Sequence, residues 1–210
     1  MAKKTFATIA WTLIILVNFY FIYQFPFRHF NRESWNEPFG PLLTVHILFG
    51  TLAILAGPFQ FFPAIRKKHP RIHRTTGRIY LVSVLMAAIA ATILAIADDI
   101  LVQHRLVFGV GLLGLAAAWF VTSGMAYRAV RIRNFVQHRE WMVKSYVVTC
   151  GFTTFRIFAV TIARYFEIDY KQEMSNIMAW ACWSIPLLIT EAWLQAKKLK
   201  RPATTPRPLS

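Results

Sequence analysis

The sequence predicts an all-α integral membrane bundle of six transmembrane helices with both termini cytoplasmic. Three observations predict it. The 210 residues are 56% hydrophobic and only 16% charged, where a soluble domain carries about a quarter charged residues. Apolar stretches of about 18 residues or more recur along the whole chain, as membrane spans do. The Lys and Arg residues collect in alternate loops, as the positive-inside rule requires.

The expected spans are 6–24, 40–64, 72–97, 104–127, 138–164 and 176–196. Each is long enough to cross a hydrocarbon core about 30 Å thick at about 1.5 Å per residue. The first follows Lys3 and Lys4. No small-residue cleavage site ends it, so it reads as an uncleaved span rather than a signal peptide. The second opens at Pro41, and the third starts at Pro70, a favoured first-turn residue. Asp98 or Asp99 is placed to cap the fourth and Asn134 the fifth. The fifth is the polar one, with Lys144, Ser145, Thr149, Thr153, Thr154 and Arg156. On the sixth, Glu191 is placed to pair with Lys144.

Residues 1–196 therefore read as one transmembrane domain, and 197–210 as a basic, Pro-rich cytoplasmic tail. Of 24 basic residues, 18 fall on the inner side when the N-terminus is inside: Lys3, Lys4, the clusters Arg66–Arg78 and Arg128–Arg139, Lys144, and the tail from Lys197. Glu33, Glu37, Asp98, Asp99, Glu167, Asp169 and Glu173 fall outside. Positive-inside topology accounts for the net charge of +15 without nucleic acid as a partner. The expected location is the inner (plasma) membrane, crossed many times. Cys150 and Cys182 lie within apolar spans with no C-x-x-C-H haem attachment motif, and read as packed thiols.

His29 and His69 fall in loops, but the other four histidines fall one to each central span. His46, His73, His104 and His138 each sit near the second turn of the expected helix. Because the helices alternate in direction, His46 and His104 form an outer layer and His73 and His138 an inner one. Imidazole near a helix N-terminus favours the neutral, metal-ligating form. Gly50, Ala53 and Gly57 share the face of His46, Gly77 that of His73, and Gly111 and Ala118 that of His104. These leave room beside a ring, or serve close helix packing.

Arg74, Arg105 and Arg139 each follow a histidine and suit the forked pairing of a carboxylate such as a haem propionate. The alternative is that they snorkel to lipid headgroups. Arg105 lies on the outer side, where basic residues are scarce. Arg156 is 18 residues after His138 on the same helical face, a rise of about 27 Å. A cofactor carboxylate or Asp98 and Asp99 are its candidate partners.

The strings "GPFQFFPAIRKKHPRIHRTTGRIYL" and "HREWMVKSYVVTCGFTTFR" resemble a bacterial membrane-protein family known as domain of unknown function 2306. That likeness covers residues 46 to 156 and implies a fold without an established activity. Six spans with one histidine on each of the second to fifth are similar, more distantly, to di-haem cytochromes b of the ascorbate-dependent, ferric-reductase type. This second resemblance implies one or two haem b groups, the outer ligated by His46 and His104 and the inner by His73 and His138. Arg74, Arg105, Arg139 and Arg156 would hold propionates.

The leading expectation is a haem b-binding oxidoreductase that carries electrons across or into the membrane. Its partners would be lipids, a quinone or other redox partner, and a second copy of the chain. The alternatives are a transporter or anion-binding protein with a His- and Arg-lined path from Arg156, and a non-catalytic assembly protein whose histidines satisfy buried polar groups. Two histidines per layer are too few for a closed zinc site without carboxylates.

Overall fold

A computed structural model describes residues 12–21, 23, 37–165 and 172–199. Every regular element among them is helical: α1 (Thr12–Phe21), α2 (Gly40–Ala56), α3 (Pro63–Lys68), α4 (Pro70–Leu94), α5 (Leu106–Arg131), α6 (Phe135–Thr149), α7 (Gly151–Tyr165) and α8 (Gln172–Leu199). The protein is an all-α membrane protein. Four helical stretches are long and apolar enough to cross a bilayer: Gly40–Gln60, Pro70–Val102, Leu106–Arg131 and Glu173–Leu199. A fifth arises if the bent pair Phe135–Thr149 and Gly151–Ile162 is one span. Of the expected first span, 6–24, the described part is the short helix α1. The expected tail, 197–210, lies outside the described residues beyond Leu199.

Helix starts follow their local chemistry. Pro70 opens α4, and Pro41 lies in the first turn of α2, where a missing N–H costs nothing. Asn134 caps α6 by accepting the Gln137 N–H at 3.1 Å. The other expected cap is different. The chain stays helical through Ala95–Val102, closing with a wide i to i+5 turn in which the Gln103 N–H donates to Asp98 O at 2.8 Å. Asp98 and Asp99 thus end one helix instead of starting the next, and α5 begins only at Leu106. A helix C-terminus disfavours carboxylates. Here Gln103 donates to Asp98 at 2.7 Å and Arg105 forms an ion pair with Asp99.

Helix α4 packs along α2 and α5, and α5 packs along α6 and α8. Small residues make these contacts close: Ala53, Ala87, Ala88 and Ala126 are buried at the interfaces. At the centre, Tyr80 Oη hydrogen-bonds Ser145 Oγ (2.7 Å) and Thr149 Oγ1 (2.8 Å). Ser123 Oγ meets Ser145 Oγ at 2.8 Å. This cluster joins α4, α5 and α6 and satisfies hydroxyls that lipid or apolar packing could not. Large apolar side chains such as Leu85, Ile89, Leu188 and Ile189 are exposed, as on a surface that faces lipid.

The polar fifth span breaks. α6 and α7 meet at a 43° bend around Cys150. Thr149 and Thr154 turn their hydroxyls onto Ser145 O (2.9 Å) and Cys150 O (3.2 Å), a back-bonding that bends helices. Asn18 of α1 fits beside the break and accepts from Thr153 Oγ1 at 2.5 Å. Along α6, Lys144 pairs with Glu191 at 2.5 Å and Glu140 with Lys198 at 2.6 Å. These two ion pairs bring the C-terminal half of α8 beside α6, as expected for Lys144 and Glu191.

Candidate ligand cavity at the acidic end of the bundle

A cavity of about 440 Å³ opens between α2, α4 and α5, within the usual range of small-molecule sites, roughly 300–1,000 Å³. Its rim carries Glu37, Asp98, Asp99, Gln103 and Arg105 together with the apolar Pro38, Phe39 and Val102. Its walls are Leu43, Ala91, Leu94 and Phe108, and it ends on Leu112, Leu115, Ala116 and Trp119. His46 stands on the α2 wall.

Each polar group around the space has a definite hold. Arg105 is ion-paired with the buried Asp99 carboxylate, and its guanidinium lies 4.7 Å from the Phe108 ring centroid. The Arg105 backbone N–H also donates to Asp99 O at 2.8 Å, so side chain and backbone close the same turn. His46 Nδ1 lies 2.9 Å from Ala87 O. A carbonyl oxygen only accepts, so Nδ1 carries the proton. At the floor, Trp119 donates its indole N–H to Thr149 Oγ1 at 2.8 Å.

Of the eight site residues expected from sequence, only His46 and Arg105 line this cavity. His104 is exposed, lies between the helices with φ 54°, and is not on the cavity wall. It therefore presents no imidazole opposite His46. His138 donates Nδ1–H to Ala126 O at 2.8 Å, while His73 Nδ1 is buried without a hydrogen-bond partner among the described residues. Arg74 is exposed, with Nε 3.3 Å from Pro70 O, and Arg139 is exposed as well. Arg156 is half-buried, with its guanidinium over the Phe152 and Phe155 rings at 5.3 and 5.8 Å. Arg156 and His138 lie on two separate helices that meet at a 43° bend, not on the one straight helix expected. Asp99, a candidate partner of Arg156, is held by Arg105.

These positions correct the expected chemistry. Among the described residues, no group of three or more His, Cys, Asp or Glu side chains comes together to hold a metal. The haem b groups, the cytochrome b likeness and the electron-carrying oxidoreductase are overturned by that finding, and the displaced His104 breaks the outer pair. Of the glycines expected to make room for a bulky cofactor, Gly57, Gly77 and Gly111 pack instead, while Gly50 has open space beside it. A Cβ on Gly111 would meet Ala179 at 2.9 Å, one on Gly77 would meet Gln60 Oε1 at 2.9 Å, and one on Gly57 would run into the Tyr146 ring.

Residues 43–194 match the family described as predicted membrane protein (DUF2306). The chain belongs to that family. No curated protein and no solved structure matches it. The match covers α2 to α8 except for the first few residues of α2 and the end of α8, so it takes in most of the cavity of this DUF2306 protein. Sequence reasoning missed Trp119, Leu112 and the Asp99–Arg105 pair. Their only signal was a tryptophan within a Gly- and Ala-rich span and an i, i+6 charge pair that a straight helix would place apart.

Proposed function

We propose that the protein binds a small amphipathic molecule in this cavity, with the apolar body toward Trp119 and the polar head toward the rim. The observation that carries the reading is the division of the cavity into an apolar floor and a charged rim. Water has few partners among Leu112, Leu115 and Ala116, whereas an alkyl or aryl group loses aqueous contact there at about 25 cal/mol per Å² buried.

In this reading the chain crosses the cytoplasmic membrane six times, with both termini inside and residues 1–196 as one domain. The loop charges support that orientation: 18 of the 24 basic residues then face inward, and the cavity opens to the outer side.

The test is binding of 4-hexylphenol to the protein in lipid nanodiscs, measured by equilibrium dialysis against empty nanodiscs. One saturable site is expected above lipid partition. Ala116→Phe, which fills the floor with a ring, should remove it while the protein remains monodisperse. Partition alone, identical in empty nanodiscs, overturns the reading.

A further inference from the structure

Between the charged rim and the apolar floor, His46 is the polar side chain on the α2 wall. It lies six residues into the helix from Gly40, about 9 Å along the axis. The Nδ1–H is committed to Ala87 O at 2.9 Å. In the neutral ring this fixes the tautomer, and Nε2, on the opposite edge, carries the lone pair. No described side chain donates to Nε2, and the neighbouring cavity walls, Leu43, Ala91 and Leu94, have no side-chain donor. His46 Nε2 is thus a fixed hydrogen-bond acceptor at the level where an amphipathic molecule would place its head.

We infer that His46 sets the head-group specificity of the cavity, selecting a hydroxyl or amine donor over acceptor-only and anionic heads. The inference rests on the proposed binding of an amphipathic molecule. An ether, ester, ketone or oxidised quinone offers only lone pairs, so it would leave Nε2 unmatched or force the ring to give up Ala87. Carboxylate or phosphate heads meet a second obstacle. On the rim, the carboxylates of Glu37, Asp98 and Asp99 against the one guanidinium of Arg105 leave a formal charge of −2. A site built around one polar group rejects the analogue that cannot pair with it. One neutral hydrogen bond is worth roughly a three- to tenfold change in affinity.

The test compares three probes of equal tail length in nanodiscs: 4-hexylphenol, 4-hexylanisole and 4-hexylbenzoate. The phenol should bind roughly three- to tenfold more tightly than the anisole, with the benzoate weakest. His46→Phe should level phenol and anisole, and His46→Gln, which keeps an acceptor, should restore part of the preference. Imidazole nitrogen NMR of the unmodified protein supplies a readout that needs no variant. The Nε2 resonance of His46 should move on adding phenol and stay with anisole. Saturable binding with no preference among the three heads, or an unmoved Nε2, overturns the role of His46 while leaving the cavity reading intact. Absence of saturable binding by all three overturns both.

Discussion

Trp119 donates its indole N–H to Thr149 Oγ1 at 2.8 Å, and this bond ties the floor of the cavity to the polar centre of the bundle. Thr149 also meets Tyr80 Oη at 2.8 Å and donates to Ser145 O at 2.9 Å. An indole N–H has no lone pair to accept a proton, so the chain from Trp119 to Ser123 is not a proton route. It fixes the mutual rotation of α4, α5 and α6, and with it the shape of the cavity.

Thr149→Val keeps the side-chain shape and removes both interhelical bonds. Such bonds in membrane proteins are worth about 0.6 kcal/mol each on average and up to about 1.7. The variant should lose about 1–2 kcal/mol of stability in mixed-micelle unfolding. Binding of 4-hexylphenol should weaken with it, because the Trp119 ring loses its anchor. Unchanged stability would show that Trp119 and Tyr80 find other partners.

Tyr80→Phe should cost less, about 0.5–1 kcal/mol. Ser145 retains Ser123 at 2.8 Å and Thr149 retains Trp119. The double variant Tyr80→Phe with Thr149→Val should cost less than the sum of the two single changes, since both remove one shared bond. Strict additivity in the same unfolding assay would contradict the hydrogen bond between them.

Four of the six expected spans, the helix starts at Pro41, Pro70 and Asn134, and the Lys144–Glu191 pair were legible because each rests on local chemistry or on helix register. What was not legible depends on departures from register. The wide turn at Ala95–Val102 moved Asp98 and Asp99 to a helix end and left His104 off α5 altogether. The 43° bend at Cys150 broke the straight helix on which the 18-residue spacing of His138 and Arg156 had been counted. Counting histidines per helix assumes straight spans of uniform phase, and one local irregularity was enough to take His104 out of the outer layer, whereas His73 and His138 stay close enough to interact electrostatically. The family pattern carried the fold and no chemistry. The cavity itself is a vacancy between three helices, which no single stretch of sequence encodes.

Gly57 and Gly50 give a matched pair about two turns apart. A Cβ on Gly57 would run into the Tyr146 ring, which Tyr146 Oη also anchors through a 3.3 Å bond to Ile54 O. Gly57→Ala should therefore destabilise by about 1–3 kcal/mol, the range for overpacking. Nothing lies within 4 Å of a Cβ on Gly50. Gly50→Ala should be neutral or stabilising by up to about 1 kcal/mol, through helix propensity alone. Equal effects of the two in the same assay would place α2 elsewhere against α6.

Removing Arg105 leaves the buried Asp99 carboxylate without its cation. Breaking a fully buried pair costs about 3–5 kcal/mol. Arg105 is 31% exposed against 9% for Asp99, so solvent screening reduces the expected loss to about 1–3 kcal/mol for Arg105→Leu. Asp99→Asn with Arg105→Gln should recover part of it, because neither group is then charged. If Arg105→Leu unfolds at the same denaturant concentration as the unmodified protein, the pair carries no stability.

Topology joins the fold to the direction from which the cavity is reached. Arg66, Lys67 and Lys68 close α3, Arg128 and Arg131 lie in the last turn of α5, and Lys198 reaches Glu140 near the start of α6. These lie at the opposite end of the bundle from the acidic rim, which α2 enters and α4 leaves. Basic residues in short loops hold their end in the cytoplasm. A reporter fused after Ser210 should therefore read cytoplasmic, and one inserted between Glu33 and Glu37 external. The mouth of the cavity would then be open to the outer side, and 4-hexylphenol should reach it in intact cells without crossing the membrane. A cytoplasmic signal from the Glu33–Glu37 insertion would turn the bundle over and place the rim inside. A split result, with Ser210 and the insertion both external, would require an even number of spans between them instead of five and remove the six-span arrangement.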